Sequence, residues 1–190
     1  MNSIGDTLAS SNWREPLSFV GKSYGFRPYF TDAKAGHRGE FFAIGVTTGR
    51  PGYFMSYSVV EGTRFLGATV VKVDLTPLQD GWREGGETVL VSDSNGVLFL
   101  SIRNDWLYRT LTPLSEAQQT LILAGRQYGA QPLELLPFKT VETLAAGERI
   151  VRFEDNLYLL LSRSLTSSVV ANRLVGASGW ADRADWNFYS

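Results

Sequence analysis

Residues 40–75 read EFFAIGVTTGRPGYFMSYSVVEGTRFLGATVVKVDL, and the punctuation of this stretch decides the fold. Glu40–Val46 is aromatic and β-branched, and Thr47-Thr48-Gly49-Arg50-Pro51-Gly52 breaks it with turn chemistry. Tyr53–Val60 resumes as a strand, Glu61-Gly62-Thr63 makes a tight connection, and Arg64–Leu75 runs back as a long strand. Three strands joined this way predict an antiparallel meander. Ahead of them, Arg27–Ala35 predicts a short helix, with Pro28 in the tolerated first turn and Gly36 at the stop.

A second unit of the same kind follows. Glu87–Val91 and Val97–Ser101 predict a strand pair about the turn Ser92–Gly96. Ser115–Gln127 predicts a helix capped by Ser115. Arg149–Phe153 and Leu157–Ser162 predict a closing strand pair about Glu154-Asp155-Asn156, and Thr76–Gly86 reads as the connection between the units. The pattern predicts an α+β chain of two small units, each an antiparallel sheet with flanking helices. From about Thr166 to Ser190 no period emerges, which predicts a divergent or disordered tail.

Composition narrows the function. Of 190 residues 44% are hydrophobic and 19% charged, an ordinary globular balance. Eighteen Lys and Arg against nineteen Asp and Glu leave a net charge of −1, so no global field recruits nucleic acid or an anionic membrane surface. With no cysteine and one histidine, His37, disulfides, thiolate metal sites and cysteine nucleophiles are excluded, and a multi-histidine metal site or a catalytic triad finds few partners. Gly5, Gly45, Gly49 and Gly52 match neither the P-loop nor the dinucleotide spacing, so no cofactor is expected. The opening MNSIGDTLASSNW lacks the basic start and apolar core of a signal peptide. The densest apolar run, Leu157–Leu161, falls far short of the ~20 residues of a membrane-spanning helix.

Two residues carry the strongest chemical signal. Lys72 stands inside a mostly apolar strand and shares a face with Ala68 and Val70 at period 2. A lysine buried among aliphatics must find an anion or lose its proton. The bland alternative is a solvated face or a nearby carboxylate. Arg27 lies in Tyr24-Gly25-Phe26-Arg27-Pro28-Tyr29-Phe30, four aromatics around one guanidinium. Such a fork matches a carboxylate, and the alternative is a surface arginine stacked on a tyrosine. Taken together, with hydroxyls nearby at Ser23, Tyr24, Thr47, Thr48 and Tyr57, the two cations suit a small dianion. A singly charged ligand would leave one buried cation unpaired. His37 reads as a solvated loop residue, Asp93-Ser94-Asn95-Gly96 as a turn, and Trp82 and Trp106 as packing residues.

Several motifs, in order, then resemble one family: SNW at 11–13, SFVG at 18–21, Tyr24, FRPYF at 26–30, TTGRPGYF at 47–54, VVKVDL at 70–75 and RTLTPLS at 109–115. Across about residues 5–165 the chain resembles the periplasmic sensor region of the C4-dicarboxylate transport sensor histidine kinases. The resemblance implies two tandem PAS-like modules, the double Cache arrangement. The membrane-distal, ligand-binding module would be residues 1–83 without its long N-terminal helix, the membrane-proximal module residues 84–165, and the tail residues 166–190. In that family an arginine and a lysine hold succinate, fumarate or malate. By position these are Arg27 and Lys72, with Ser23, Tyr24 and Thr47 adding hydrogen bonds.

The resemblance further implies an extracytoplasmic sensing domain of an inner-membrane, homodimeric kinase with a cytoplasmic response regulator. The chain itself has no kinase core, so it is expected to bind and not to catalyse, with no nucleic-acid partner and no membrane contact of its own. The alternatives are a sensor of the same fold for another small carboxylate or an amino acid, and a degenerate fragment that no longer signals.

Overall fold

Glu61-Gly62-Thr63 turns the chain tightly because Gly62 adopts a left-handed φ of 60°, and the strands on either side pair in long antiparallel register. The computed structural model describes residues 1–85, 88–145, 147–165 and 169–176. In chain order the elements are α1 (Pro28–Lys34), β1 (Gly39–Ile44), β2 (Pro51–Glu61), β3 (Arg64–Val73), α2 (Thr76–Gly85), β4 (Val89–Asp93), β5 (Leu98–Ser101), α3 (Glu116–Ala124), β6 (Lys139–Thr143), β7 (Arg149–Phe153), β8 (Asn156–Ser164) and β9 (Val169–Gly176). Among the described residues no helix is long and apolar enough to cross a membrane.

The chain forms two compact units, and the first is discontinuous: Met1–Leu75 together with Ser115–Gln131. Its sheet runs β1-β2-β3. Cross-strand register places Phe41, Phe54 and Lys72 in one row, and Ala43 with Gly52 and Ser56 with Val70 in the rows beside it, all on one face. Helix α1 packs on that face through buried Tyr29, Phe30 and Ala33. Tyr29 stacks on Phe54 with ring centroids 5.1 Å apart and planes 12° from parallel, and Phe30 meets Phe65 edge-on at 5.9 Å.

The distant segment belongs to this unit for equally local reasons. Ser115 and Gln118 form a reciprocal capping box that starts α3. Beyond the helix, Gln127 accepts a hydrogen bond from the Ile44 amide at 2.8 Å, and Tyr128 lies against Phe42 at 5.9 Å. These bonds sew residues 115–131 to β1. Contiguous modules at 1–83 and 84–165 therefore do not describe the packing: the first unit ends at Leu75 and takes in a piece from the middle of the second.

The second unit comprises, among the described residues, Thr76–Leu114 and residues 132–176. Its six strands run β5-β4-β9-β8-β7-β6, all neighbours antiparallel. Leu90, Leu98, Val151, Leu160 and Leu174 fill the core beside Trp106, which meets Phe153 and Phe138 edge-on. The predicted packing role of Trp106 holds. So does the predicted turn, where the Asp93 carboxylate accepts from the Asn95 and Val97 amides.

Three elements depart from expectation. Residues 76–85 form α2 rather than a plain connection. Pro77 stands in the tolerated first turn, Leu78 and Trp82 are one helical turn apart, and Arg83 bridges Asp80 at 2.7 Å. β6 adds an edge strand that is exposed throughout. The expected tail contains β9, which sits between β4 and β8. Its buried Asn172 is reconciled with that position by side-chain bonds to Ser92 on β4 and Ser162 on β8. Gly86, Glu87 and residues 166–168 and 177–190 of the expected tail lie outside the described residues.

Candidate functional site

The inner face of the first sheet, α1 and the loop ahead of it enclose a cavity of about 550 Å³, within the ~300–1,000 Å³ usual for small-molecule sites. Tyr24, Arg27, Thr47 and Lys72 all line it, so four of the five residues singled out in the sequence come together. Ser23 does not: it is exposed, in a bridge with Asp6, because the neighbouring Tyr24 takes the inward position. Thr48 also stays off the wall and accepts a bond from the Arg50 amide instead.

Arg27 occupies the N-cap position of α1, extended as a residue before proline must be. The residue as a whole is only 2% exposed. Nη1 donates to the carbonyls of Gly125 (2.9 Å) and Arg126 (3.0 Å), and Nη2 donates to that of Ile44 (3.0 Å). Gly125 and Arg126 follow directly on α3, where a helix presents unpaired carbonyls and the negative end of its dipole. Three of five guanidinium donors are thus committed, and two have no acceptor among the described residues. Burial pulls the guanidinium down from its usual value; Tyr29 and Tyr24 oppose this and the Arg126 charge adds to it. It remains a cation.

Lys72 is half-buried, with Nζ donating to the Arg50 carbonyl at 3.1 Å and lying 5.7 Å from the Phe54 ring centre. Burial holds its ammonium below the usual lysine range; the Asp74 charge offsets part of this and Arg50 adds to it. Among the described residues neither Arg27 nor Lys72 forms an ion pair with a carboxylate. The Tyr24 hydroxyl and Thr47 Oγ1 share a 2.6 Å hydrogen bond on the same wall.

One wall residue escaped sequence reasoning. Tyr29 is 3% exposed, locked by its stack on Phe54, and its hydroxyl has no side-chain hydrogen bond among the described residues. Burial pushes its phenol up, against the opposing pull of Arg27, so it stays a neutral donor. At the rim, Asn12 of the SNW motif accepts from the Phe19 amide and donates to the Leu17 carbonyl, bracing the loop that carries Ser10 and Ser11.

No family model matches the chain. Two relatives do, both described as C4-dicarboxylate transport sensor protein DctB. The Pseudomonas aeruginosa protein is 40% identical over 134 residues, 69% of this chain and 22% of its own length. The Rhizobium meliloti protein is 34% identical over 143 residues, 75% of this chain and 23% of its own length. The chain therefore spans under a quarter of these relatives. Among solved structures, the sensor domain of the Vibrio cholerae histidine kinase DctB superposes with a TM-score of 0.78 at 31% identity, covering 93% of this chain and 70% of that one. The ligand-binding domain of Mlp24 with asparagine shares the fold alone, with a TM-score of 0.56 at 16% identity. A tandem α+β architecture, the cavity in its first unit and these likenesses lead to one assignment: the chain belongs to the DctB family of C4-dicarboxylate transport sensor proteins, in its sensor domain.

Proposed function

We propose that the first unit binds a C4-dicarboxylate such as succinate, fumarate or malate, with Arg27 taking one carboxylate and Lys72 the other. The observation that supports this most is the side-chain charge inventory of the cavity: among the described residues its wall carries two cationic side chains, Arg27 and Lys72, and no carboxylate side chain. A dianion neutralises both. A monocarboxylate leaves one desolvated cation unpaired, and an amino acid brings an ammonium with no acid to receive it. Asp74, the nearest candidate for that role, is exposed and off the wall.

The residues divide the task. The two free donors of Arg27 meet a carboxylate as a fork, and Lys72 supplies a point charge that can leave the Arg50 carbonyl for a better acceptor. Tyr24, Thr47 and Tyr29 contribute hydroxyls, and the rings of Phe19 and Phe54 exclude water. No bond is made or broken. In the parent protein the ligand would favour one conformation of the first unit and shift its population. The parent is a periplasm-facing, membrane-anchored homodimeric kinase signalling to a cytoplasmic response regulator; the first unit lies membrane-distal and the second membrane-proximal.

Calorimetric titration of succinate into the purified chain tests the proposal, with L-alanine and acetate as rival ligands and Lys72→Ala as control. Saturable succinate binding that Lys72→Ala weakens roughly tenfold or more, without reaching zero while Arg27 still holds one carboxylate, is the expected result. Binding of L-alanine in place of succinate would replace the dicarboxylate with an amino acid. A folded chain that binds none of the three would mark a fragment without a working site.

A further inference from the structure

Gly52 has no backbone reason to be glycine. It lies inside β2, and its φ is outside the left-handed region, so any residue could adopt its conformation. Strand interiors also disfavour glycine, which has no side chain to pack and often marks the close approach of another group. That group is Lys72. Register pairs Lys72 with Phe54, so Gly52 is its diagonal neighbour on the cavity face. A Cβ at position 52 would collide with Lys72 Cε and come within 2.9 Å of Cγ and 3.2 Å of Cδ. The lysine stem therefore lies across the space that a side chain would fill. Further along, a Cβ at Gly45 would sit 3.4 Å from Lys72 Nζ and 3.1 Å from the Arg50 carbonyl that receives it.

We infer that Gly52 is a positioning residue for the cavity's second cation: its missing side chain is the slot that lays the Lys72 stem flat and delivers the ammonium to the Arg50 end of the wall. The ligand consequence rests on the dicarboxylate reading above; the slot itself does not. A methyl group at 52 lifts the stem. Lysine is flexible, so the strand accommodates the change by moving the side chain rather than the backbone. The ammonium leaves the Arg50 carbonyl and is displaced from the place where a second carboxylate would meet it.

Two measurements on Gly52→Ala, made alone and in a Lys72→Ala background, decide the matter. In protein labelled with 13C-lysine, the Lys72 ε-methylene resonance moves in Gly52→Ala, while those of Lys22, Lys34 and Lys139 stay in place. In succinate calorimetry, Gly52→Ala weakens binding roughly tenfold or more, the scale of losing one charged hydrogen-bonding partner. In the Lys72→Ala background, where no stem fills the slot, the same substitution adds less than about twofold, as expected of two residues acting through one contact. An unmoved Lys72 resonance overturns the slot whatever the ligand does. Equal losses in both backgrounds overturn the route through Lys72. If wild-type protein binds no succinate yet the Lys72 resonance moves, the dicarboxylate reading falls and the slot stands.

Discussion

The Arg27 guanidinium and the Gly125 carbonyl meet at 2.9 Å across 98 residues of sequence. One side chain thus closes the end of α3 while also lining the cavity, and its structural duty is separable from the ligand duty proposed for it only by substitution. Arg27→Ala leaves the carbonyls of Gly125, Arg126 and Ile44 without this donor, at ~1–3 kcal/mol for each group that stays buried and unpaired. A stability loss of about 3 kcal/mol or more is expected in urea unfolding of the ligand-free chain. A loss under about 0.5 kcal/mol would show that these bonds do not hold the segment. Lys72→Ala, which removes one exposed-side bond to Arg50, should leave the unfolding midpoint nearly unchanged.

Tyr29→Phe removes a hydroxyl and keeps the ring stacked on Phe54. Unfolding should be unaffected, and succinate affinity should fall roughly fivefold, the worth of one neutral hydrogen bond of about 1 kcal/mol. Unchanged affinity measured by calorimetry would take Tyr29 out of the binding set.

Lys72 predicts an alkaline response. Its ammonium gives up a proton more easily in the native chain than in the unfolded one, chiefly through burial. Between the lowered native value and the ordinary value of about 10.4, the unfolded chain holds more protons. Its contribution to native stability therefore rises with pH through that window, while dicarboxylate affinity, which needs the cation, falls through the same window. Parallel titrations of wild type and Lys72→Met from neutral to alkaline pH check this. The affinity limb should vanish in the variant, and its persistence there would assign it to another group.

Ser115→Ala breaks the capping box in which Ser115 Oγ accepts from the Gln118 amide and Gln118 Oε1 accepts from the Ser115 amide. A destabilisation of about 1 kcal/mol is expected in urea melts, with Gln118→Ala giving part of it. No effect from either would mean that tertiary bonds beyond the helix, such as Ile44 to Gln127, set its start.

What could be read from the sequence follows the range of each signal. β1, β2, β3, α1 and α3 announce themselves through alternation, Pro28 and Ser115, all cues that act within a few residues. α2 hides because Pro77, Gly81 and Gly85 depress helix propensity, and only the Asp80–Arg83 and Leu78–Trp82 spacings speak for it. β6 is solvent-facing on every residue, so no period marks it. β9 places Asn172 at a buried position that becomes acceptable only once Ser92 and Ser162 are beside it, and one of those is 80 residues away. The site divides similarly. Lys72 and Arg27 stand out as cations in apolar company, whereas Tyr29 looks like any core aromatic until its hydroxyl is seen to lack a side-chain partner among the described residues. The carbonyls that hold Arg27 lie in a segment that nothing near Arg27 foreshadows.

The chain crosses between its two units after Leu75, after Leu114 and after Gln131. A gene encoding it therefore has no single breakpoint that exchanges the cavity-bearing unit whole. A recombinant receptor spliced once, near residue 83, would inherit Arg27, Lys72 and the cavity wall from one parent but the α3 carbonyls from the other. Grafting of specificity between such receptors should succeed in two-piece transfers, residues 1–75 together with 115–131, and fail in one-piece transfers wherever the parents differ in how that second piece meets Arg27.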